Sequence, residues 1–403
     1  MLSRRRILLG MVSVVLAAVA LLVIDQVRQA SAWASIDDEP PLEVQQVAAP
    51  TDSWFALKAV MAAVPEEHRD RIGKALREKD VPTDRRAWTL VADQLKALSP
   101  LIGAAPIVSP TRKLGSEDSR VSLLPIIMLA KAQLLRGWEQ YDGGDILAAV
   151  EDMLRVDRFG QQLIDGSQSQ FMGMVGYSVQ DMAIEALQEV LFVTHEPSIH
   201  TLVAEGLALQ TPQDGQFRKA LNRECAHIEE LLVDPFKTAD MALQDEWRAK
   251  GLPGTLFDQD ATVAQHRKWC RAANNWLALA PLQRRQPPAY LPQGLSEVLT
   301  YNVIGVQYLK IVSQERFLSH VEEDLLEGEL RREVLRLLTA ARRYGFAHSG
   351  DLPARAEQLV PKYLKSVPLD PFTRAALKIE SDAIKASRGE RVWITLPAAP
   401  NQP

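Results

Sequence analysis

Cysteine is nearly missing from this 403-residue chain: Cys225 and Cys270 are its whole supply. Two thiols are too few for a multi-bridge scaffold, and they leave two readings open. In an oxidising compartment they form one disulfide that staples two helices; otherwise they are small buried thiols. An excess of positive charge is also lacking, since the formal net charge is −5. The part beyond residue 24 is more acidic still, because Arg4, Arg5 and Arg6 lie before it. Such a surface has no electrostatic reason to hold nucleic acid or anionic lipid headgroups. No His-Glu-x-x-His, no Gly-x-Ser-x-Gly and no phosphate-cradling glycine loop occurs, so the familiar hydrolase and nucleotide signatures are missing. A triad assembled from scattered residues follows no fixed spacing, which keeps an enzyme reading open.

Long apolar runs are absent too, with one exception. Residues 7–24, Ile7 to Ile24, are uncharged and follow Arg4-Arg5-Arg6 directly. At ~1.5 Å per residue this run reaches about 27 Å, enough to cross a hydrocarbon core. The arginines stay cytoplasmic, so the body of the chain is expected outside the inner membrane, in the periplasm or beyond. A cleaved signal peptide is the rival, with small-x-small sites at Ala30-Ser31-Ala32 and Ala32-Trp33-Ala34. Ser3-Arg4-Arg5-Arg6-Ile7-Leu8 also resembles a twin-arginine signal, although an ordinary basic leader accounts for it.

The rest reads as punctuated helix, a mainly α fold. Residues 25–50 form a polar, proline-bearing linker, and residues 51–284 a helical domain. A proline-laden connection follows at 285–300, then a C-terminal segment over 301–403. Thr51-Asp52-Ser53 cap a first helix carrying Trp54, Leu57, Val60 and Met61 on one stripe, and Pro65 stops it. Helices are expected from about Glu66 and from Thr83 to Ile102. The clearest unit is a helical hairpin turning at Tyr141-Asp142-Gly143-Gly144-Asp145, where glycine takes the left-handed C′ position and Asp145 caps the second helix. It is TPR-like, but no fixed period recurs, so an irregular bundle is preferred over a repeat array. From Gln168 to Val193, Met172, Gly173, Met174 and Gly176 permit close helix approach. A late helix over 327–345 carries Leu330, Val334, Leu337, Leu338 and Ala341, with Arg331, Arg332, Arg342 and Arg343 on a solvated face. Alternation at Leu377 and Ile379, then at Val392, Ile394 and Leu396, predicts a small β-hairpin looping through Ser387–Glu390.

Arg223-Glu224-Cys225-Ala226-His227-Ile228-Glu229-Glu230 looks most like a catalytic or metal cluster. Glu224 and His227 share a helix face, but bundle metal sites need two such pairs and further glutamates. The expected role is therefore ion pairing along a helix. His195, His200, His266 and His320 are isolated and read as surface or capping residues. No catalytic, cofactor-binding or metal-ligating residue is assigned, and no cofactor is expected.

Near the end stand Asp351-Leu352-Pro353-Ala354, Leu359-Val360-Pro361-Lys362-Tyr363-Leu364 and Val367-Pro368-Leu369-Asp370-Pro371-Phe372. Together they resemble the C-terminal signature of a group of uncharacterised bacterial membrane-anchored α-helical envelope proteins. The ending is also partly similar to that of pilin-like and pseudopilin-like proteins. The resemblance implies an N-terminal membrane helix and a helical body. It departs at Arg374 and Ala376, where the group has Gly and Pro. Physically, Pro361, Pro368 and Pro371 steer the chain, Tyr363 and Phe372 wedge into the body, and Asp370 accepts backbone N–H bonds. Calcium ligation by Asp370 lacks a convincing oxygen set.

The reading is thus a membrane-tethered extracytoplasmic interaction or scaffold protein, linked to secretion or surface assembly. Its partners are the membrane, through residues 7–24, and another protein, but no nucleic acid. The alternative is an envelope hydrolase with an unrecognised active site. If Phe372 is a buried wedge, Phe372→Ala lowers the unfolding free energy by about 3–5 kcal/mol, as measured by urea denaturation.

Overall fold

The computed structural model describes residues 51–75, 84–103, 105–108, 123–208, 216–233, 259–279, 281–284, 288, 315–380, 383–386 and 391–393. The anchor and linker expected over 1–50, and most of the 285–300 connection, lie outside these residues. Among the described residues no helix is long and apolar enough to cross a membrane.

The fold is mainly helical with a small antiparallel sheet. Helices α1 (Asp52–Ala62) and α2 (Glu66–Ala75) open it. Thr51 caps α1, its Oγ1 accepting from the N–H of Trp54 at 3.4 Å and of Val108 at 3.2 Å. The helix expected over 83–102 is instead broken. A 3-10 stretch at Arg85–Val91 leads into α3 (Ala92–Leu98), and Ser99–Leu101 winds tightly again. Tertiary anchoring accompanies the break: the Trp88 indole donates to Glu139 at 2.6 Å, and Arg86 donates to the same carboxylate at 3.2 Å.

Helices α4 (Leu124–Asp142) and α5 (Ile146–Asp165) form the expected hairpin. Asp145 caps α5 by accepting from Ala148 N–H at 3.1 Å. The left-handed residue is Gly144, at φ 85°, while Gly143 stays at −77°. Helix α6 (Gln170–Val193) then crosses α5 backbone to backbone. A Cβ placed on Gly160 would lie 2.7 Å from the Gly176 carbonyl oxygen, and one on Gly176 would lie 2.8 Å from that of Gly160. Helix α7 (Pro197–Ala208) follows, with Gly206 against Leu154 of α5.

Helices α8 (Gln216–Val233) and α9 (Gln259–Ala278) pack on each other beside the main body. Phe217, Leu221 and Ile228 of α8 and Ala261, Trp269 and Ala273 of α9 are buried, and Arg267 pairs with Glu229 at 2.5 Å. Helix α10 (Glu315–Ala347) is longer than the 327–345 expected and packs on α6 and α7. One apolar core runs from Trp54 through α4–α7 and α10 to Ala386.

The solvated-arginine expectation for α10 is corrected at two positions. Arg332 is only 6% exposed and Arg342 is 0% exposed. The reason is that α10 is covered beyond its single predicted stripe. Leu335, Thr339 and Ala340 are buried as well, and the sheet and the Ala356–Leu359 turn pack on the helix.

The terminal motif closes the fold. Pro361 is exposed, after a cis Val360–Pro361 bond, and Tyr363 is half-buried edge-on to Tyr344. Pro368, Asp370, Pro371 and Phe372 are buried. Asp370 Oδ1 accepts from Phe372 N–H at 2.8 Å and Thr373 N–H at 3.1 Å, the turn role expected of it. Arg374, where the resembled group has glycine, sits in the left-handed region at φ 59°. The sheet has three strands, β1 (Lys378–Glu380), β2 (Ala383–Lys385) and β3 (Arg391–Trp393), in the order β1-β2-β3. The expected pairing of 377–379 directly with 392–396 is therefore corrected. Ile384 pairs with Ile379 on one side and Val392 on the other. The 383–385 segment carries the fully buried Ile384 and lies two residues beyond β1, so it reaches β1 before the more distant strand does.

Two glycines on α6 separate packing from propensity. Gly176→Ala is expected to lower stability by about 1–3 kcal/mol, because its Cβ would press on the α5 backbone. Gly173→Ala, whose Cβ meets nothing nearer than Ser167 Oγ at 3.6 Å, is expected to raise stability by up to about 1 kcal/mol. Paired urea unfolding curves check both signs.

Candidate functional site

Between α6 and the N-terminal half of α10 lies a cleft of about 210 Å³. Its apolar surface comes from Met174, Ile184 and Leu325. Its charged surface comes from Asp181, Asp324, Glu327, Arg331 and Arg332, and Tyr177 and Ser178 add hydroxyls. The two walls are some 150 positions apart in sequence, which is why no local motif announces the cleft.

A polar ladder lies beneath it. Arg332 Nη2 donates to Asp157 Oδ1, and both side chains are buried. Gln180 Nε2 donates to Gln161 Oε1 at 3.1 Å and to the Asp157 carbonyl at 3.4 Å. Gln161 in turn donates to Asp165 at 2.9 Å. Burial raises the Asp157 carboxyl above its ordinary range despite the Arg332 guanidinium. Burial likewise raises the Tyr177 phenol, and the negative charges of Glu329 and Asp165 add to the shift. Tyr177 therefore stays neutral and presents an O–H donor.

At the rim, Arg331 Nη1 reaches both oxygens of Asp181, at 2.9 and 3.0 Å. This pair is only half-buried, so solvent screens it and it contributes little stability. Burial raises the Asp181 carboxyl; Arg331 opposes the shift, and Glu185 and Asp324 reinforce it. The described lining contains no histidine or cysteine; its hydroxyls and carboxylates come from Tyr177, Ser178, Asp181, Asp324 and Glu327. What the arrangement offers is a seat: apolar walls with a rim in which acids outnumber bases.

The residues singled out by sequence fall elsewhere. Glu224 reaches across from α8, and its Oε2 accepts from the N–H of Gln170, at the start of α6, at 2.7 Å. Arg223 donates to the Ser167 carbonyl at 2.6 Å. Glu224 thus serves as a helix-terminal acid at the start of α6. The side chains of His227, Glu230 and His320 lie outside the described residues. Cys225 and Cys270 are joined as a disulfide linking α8 to α9, with Cα atoms 6.1 Å apart.

His195 is exposed, but the surface reading of His200 and His266 is corrected: both are fully buried. Each spends its Nε2 on a backbone carbonyl, His200 on Thr194 at 3.1 Å and His266 on Cys225 at 2.8 Å. Burial pushes each imidazole down to about 4. Beside His200, Arg342 donates to the carbonyls of Leu191, Thr194 and Phe192 and so caps the C-terminal end of α6. Sequence reasoning missed Arg332, Asp157 and Arg342. The available signal was the apolar Leu335 and Ala340 off the main stripe, and Asp157 standing between Val156 and Phe159.

No family model matches the chain, and no curated protein or solved structure does.

The buried His200 makes stability depend on pH. Its folded value of about 4 lies below the ordinary 6.5, so the unfolded chain takes up the proton first. Its contribution is complete above pH 6.5 and is lost as pH falls toward 4, by up to about 3 kcal/mol. In His200→Gln, which keeps an N–H donor but does not titrate, the pH slope of the urea-unfolding free energy over that window should fall by up to one proton.

Proposed function

We propose that this chain is a membrane-tethered extracytoplasmic interaction module whose partner-binding seat is the cleft between α6 and α10. The observation that carries this reading is the cleft itself, with apolar walls under a charged rim, the anatomy of a protein-recognition pocket. Asp181, Asp324 and Glu327 outnumber Arg331 and Arg332 there, and Arg332 is spent on Asp157, so the partner presents Lys or Arg beside an apolar side chain. Residues 7–24, behind Arg4–Arg6, act as the single-pass inner-membrane anchor, and residues 25–50 hold the body off the bilayer. The disulfide suits an oxidising compartment. The α4–α5 hairpin serves as a TPR-like unit inside an irregular bundle, and the resemblance at 351–372 favours an envelope protein tied to secretion or surface assembly.

A photo-crosslinking residue placed at Ser178, on the cleft, should trap one discrete protein partner in intact cells. The same residue at Glu151, on exposed α5 surface, should trap none. Asp324→Lys should weaken capture at Ser178 about tenfold, equivalent to ~1.4 kcal/mol. Equal capture at both positions, or indifference to Asp324→Lys, overturns the cleft as the seat. A reporter fused after Pro403 that works only in the cytosol overturns the compartment.

A further inference from the structure

The disulfide sits beside a third donor for which the interaction reading has no use. Cys225, Cys270 and His266 place one ligand atom each within 4.8 Å of one another, and all three residues are buried. His266 and Cys270 are one turn apart on α9, so their side chains share a face, and Cys225 meets them from α8. The imidazole's tautomer is already fixed. A carbonyl oxygen only accepts, so the 2.8 Å contact to Cys225 O places the ring proton on His266 Nε2 and the lone pair on Nδ1. A histidine that donates one ring N–H to a backbone carbonyl and turns its other nitrogen to the ion is the usual arrangement at metal sites. Cys270 Sγ lies 3.9 Å from Nδ1 and 3.5 Å from Nε2, so ligation through Nδ1 needs a small rotation of the freed thiol toward that nitrogen. A tetrahedral zinc ion, with bonds of about 2.3 Å to sulfur and 2.0–2.1 Å to nitrogen, needs an N–S separation of about 3.6 Å.

We propose that, once its disulfide is reduced, the chain binds one zinc ion between α8 and α9 through the thiolates of Cys225 and Cys270 and Nδ1 of His266. The same residues then join the two helices either covalently or through the metal, and the two states exclude each other. A dithiol reductant supplies the two electrons and two protons that convert the disulfide to two thiols, and leaves as its own disulfide. Zinc entry displaces the two thiol protons. Two thiolates neutralise the dication, so the buried site carries no net charge, which a dry interior requires. Three protein donors leave a fourth position for water.

The test uses the full chain, reduced with a phosphine in denaturant and refolded without metal, with one equivalent of cobalt(II), or with zinc(II). The expected result is a helical protein that binds cobalt one-to-one with a thiolate-to-cobalt charge-transfer band, which zinc abolishes. Zinc should also shield both thiols from a thiol-modifying reagent. Cys270→Ser should lose the band, and His266→Ala should weaken cobalt binding at least about tenfold. The proposal fails if the refolded, helical, reduced chain shows no such band and its thiols react equally fast in excess zinc. It fails equally if neither ion restores helix to the reduced chain, or if Cys270→Ser binds cobalt as the native sequence does. None of these readouts involves the α6–α10 cleft, so this site and the partner seat stand or fall separately.

Discussion

The contact between Gly160 and Gly176 sets the geometry on which the rest of the body depends. With no Cβ on either side, the backbones of α5 and α6 meet directly, and the Gln180 side chain lies over Gly160 at a distance a methyl group would occupy. This places Gln180 where its amide bridges Gln161 and the Asp157 carbonyl. Asp157 is thereby presented toward α10, and Arg332 meets it. A wider crossing would separate these partners and leave buried polar groups unpaired, each at a cost of roughly 1–3 kcal/mol. The cleft above the ladder is therefore a consequence of how closely two helices approach beneath it.

Helix α6 is held at both ends by side chains that arrive from far along the chain. At its N-terminus Glu224 of α8 accepts a backbone N–H; at its C-terminus Arg342 of α10 donates to three carbonyls. An acid at the first end and a cation at the last both match the helix dipole. Burial lowers the Arg342 guanidinium only to about 10, so it stays charged at neutral pH. Such buried charges are poor sources of net stability, since desolvation offsets most of the attraction. Their value here is positional: Arg332 and Arg342 have partners at only one setting of α10 against α5 and α6, and a shifted helix would bury both unpaired.

Legibility from sequence followed the range of the interaction. Thr51, Asp145 and Asp370 were readable because each acts on backbone within three residues of itself. The α4–α5 hairpin and the apolar stripe of α10 were readable because helical periodicity is local. The break at Arg85–Val91 was not, because Trp88 finds Glu139 some fifty positions away. Arg332 and Arg342 look like ordinary surface arginines until the α10 sequence is packed on more than one face. The cleft was the least legible feature of all, having no residue pattern of its own. Its walls acquire meaning only once α6 and α10 are side by side.

The disulfide has a similar structural logic. Helices α8 and α9 lie outside the apolar core that unites the other described helices with the sheet. They share a short seam and touch the body through α6. Closing a loop of 45 residues removes chain entropy worth about 4 kcal/mol from the unfolded state. The pair is coupled back to the body where Arg223 and Glu224, immediately before Cys225, grip the turn that starts α6. The two residues before the staple thus contact the N-terminal end of the helix that forms one wall of the cleft. The covalent staple and the partner seat lie in different parts of the molecule, but α6 runs from one to the other.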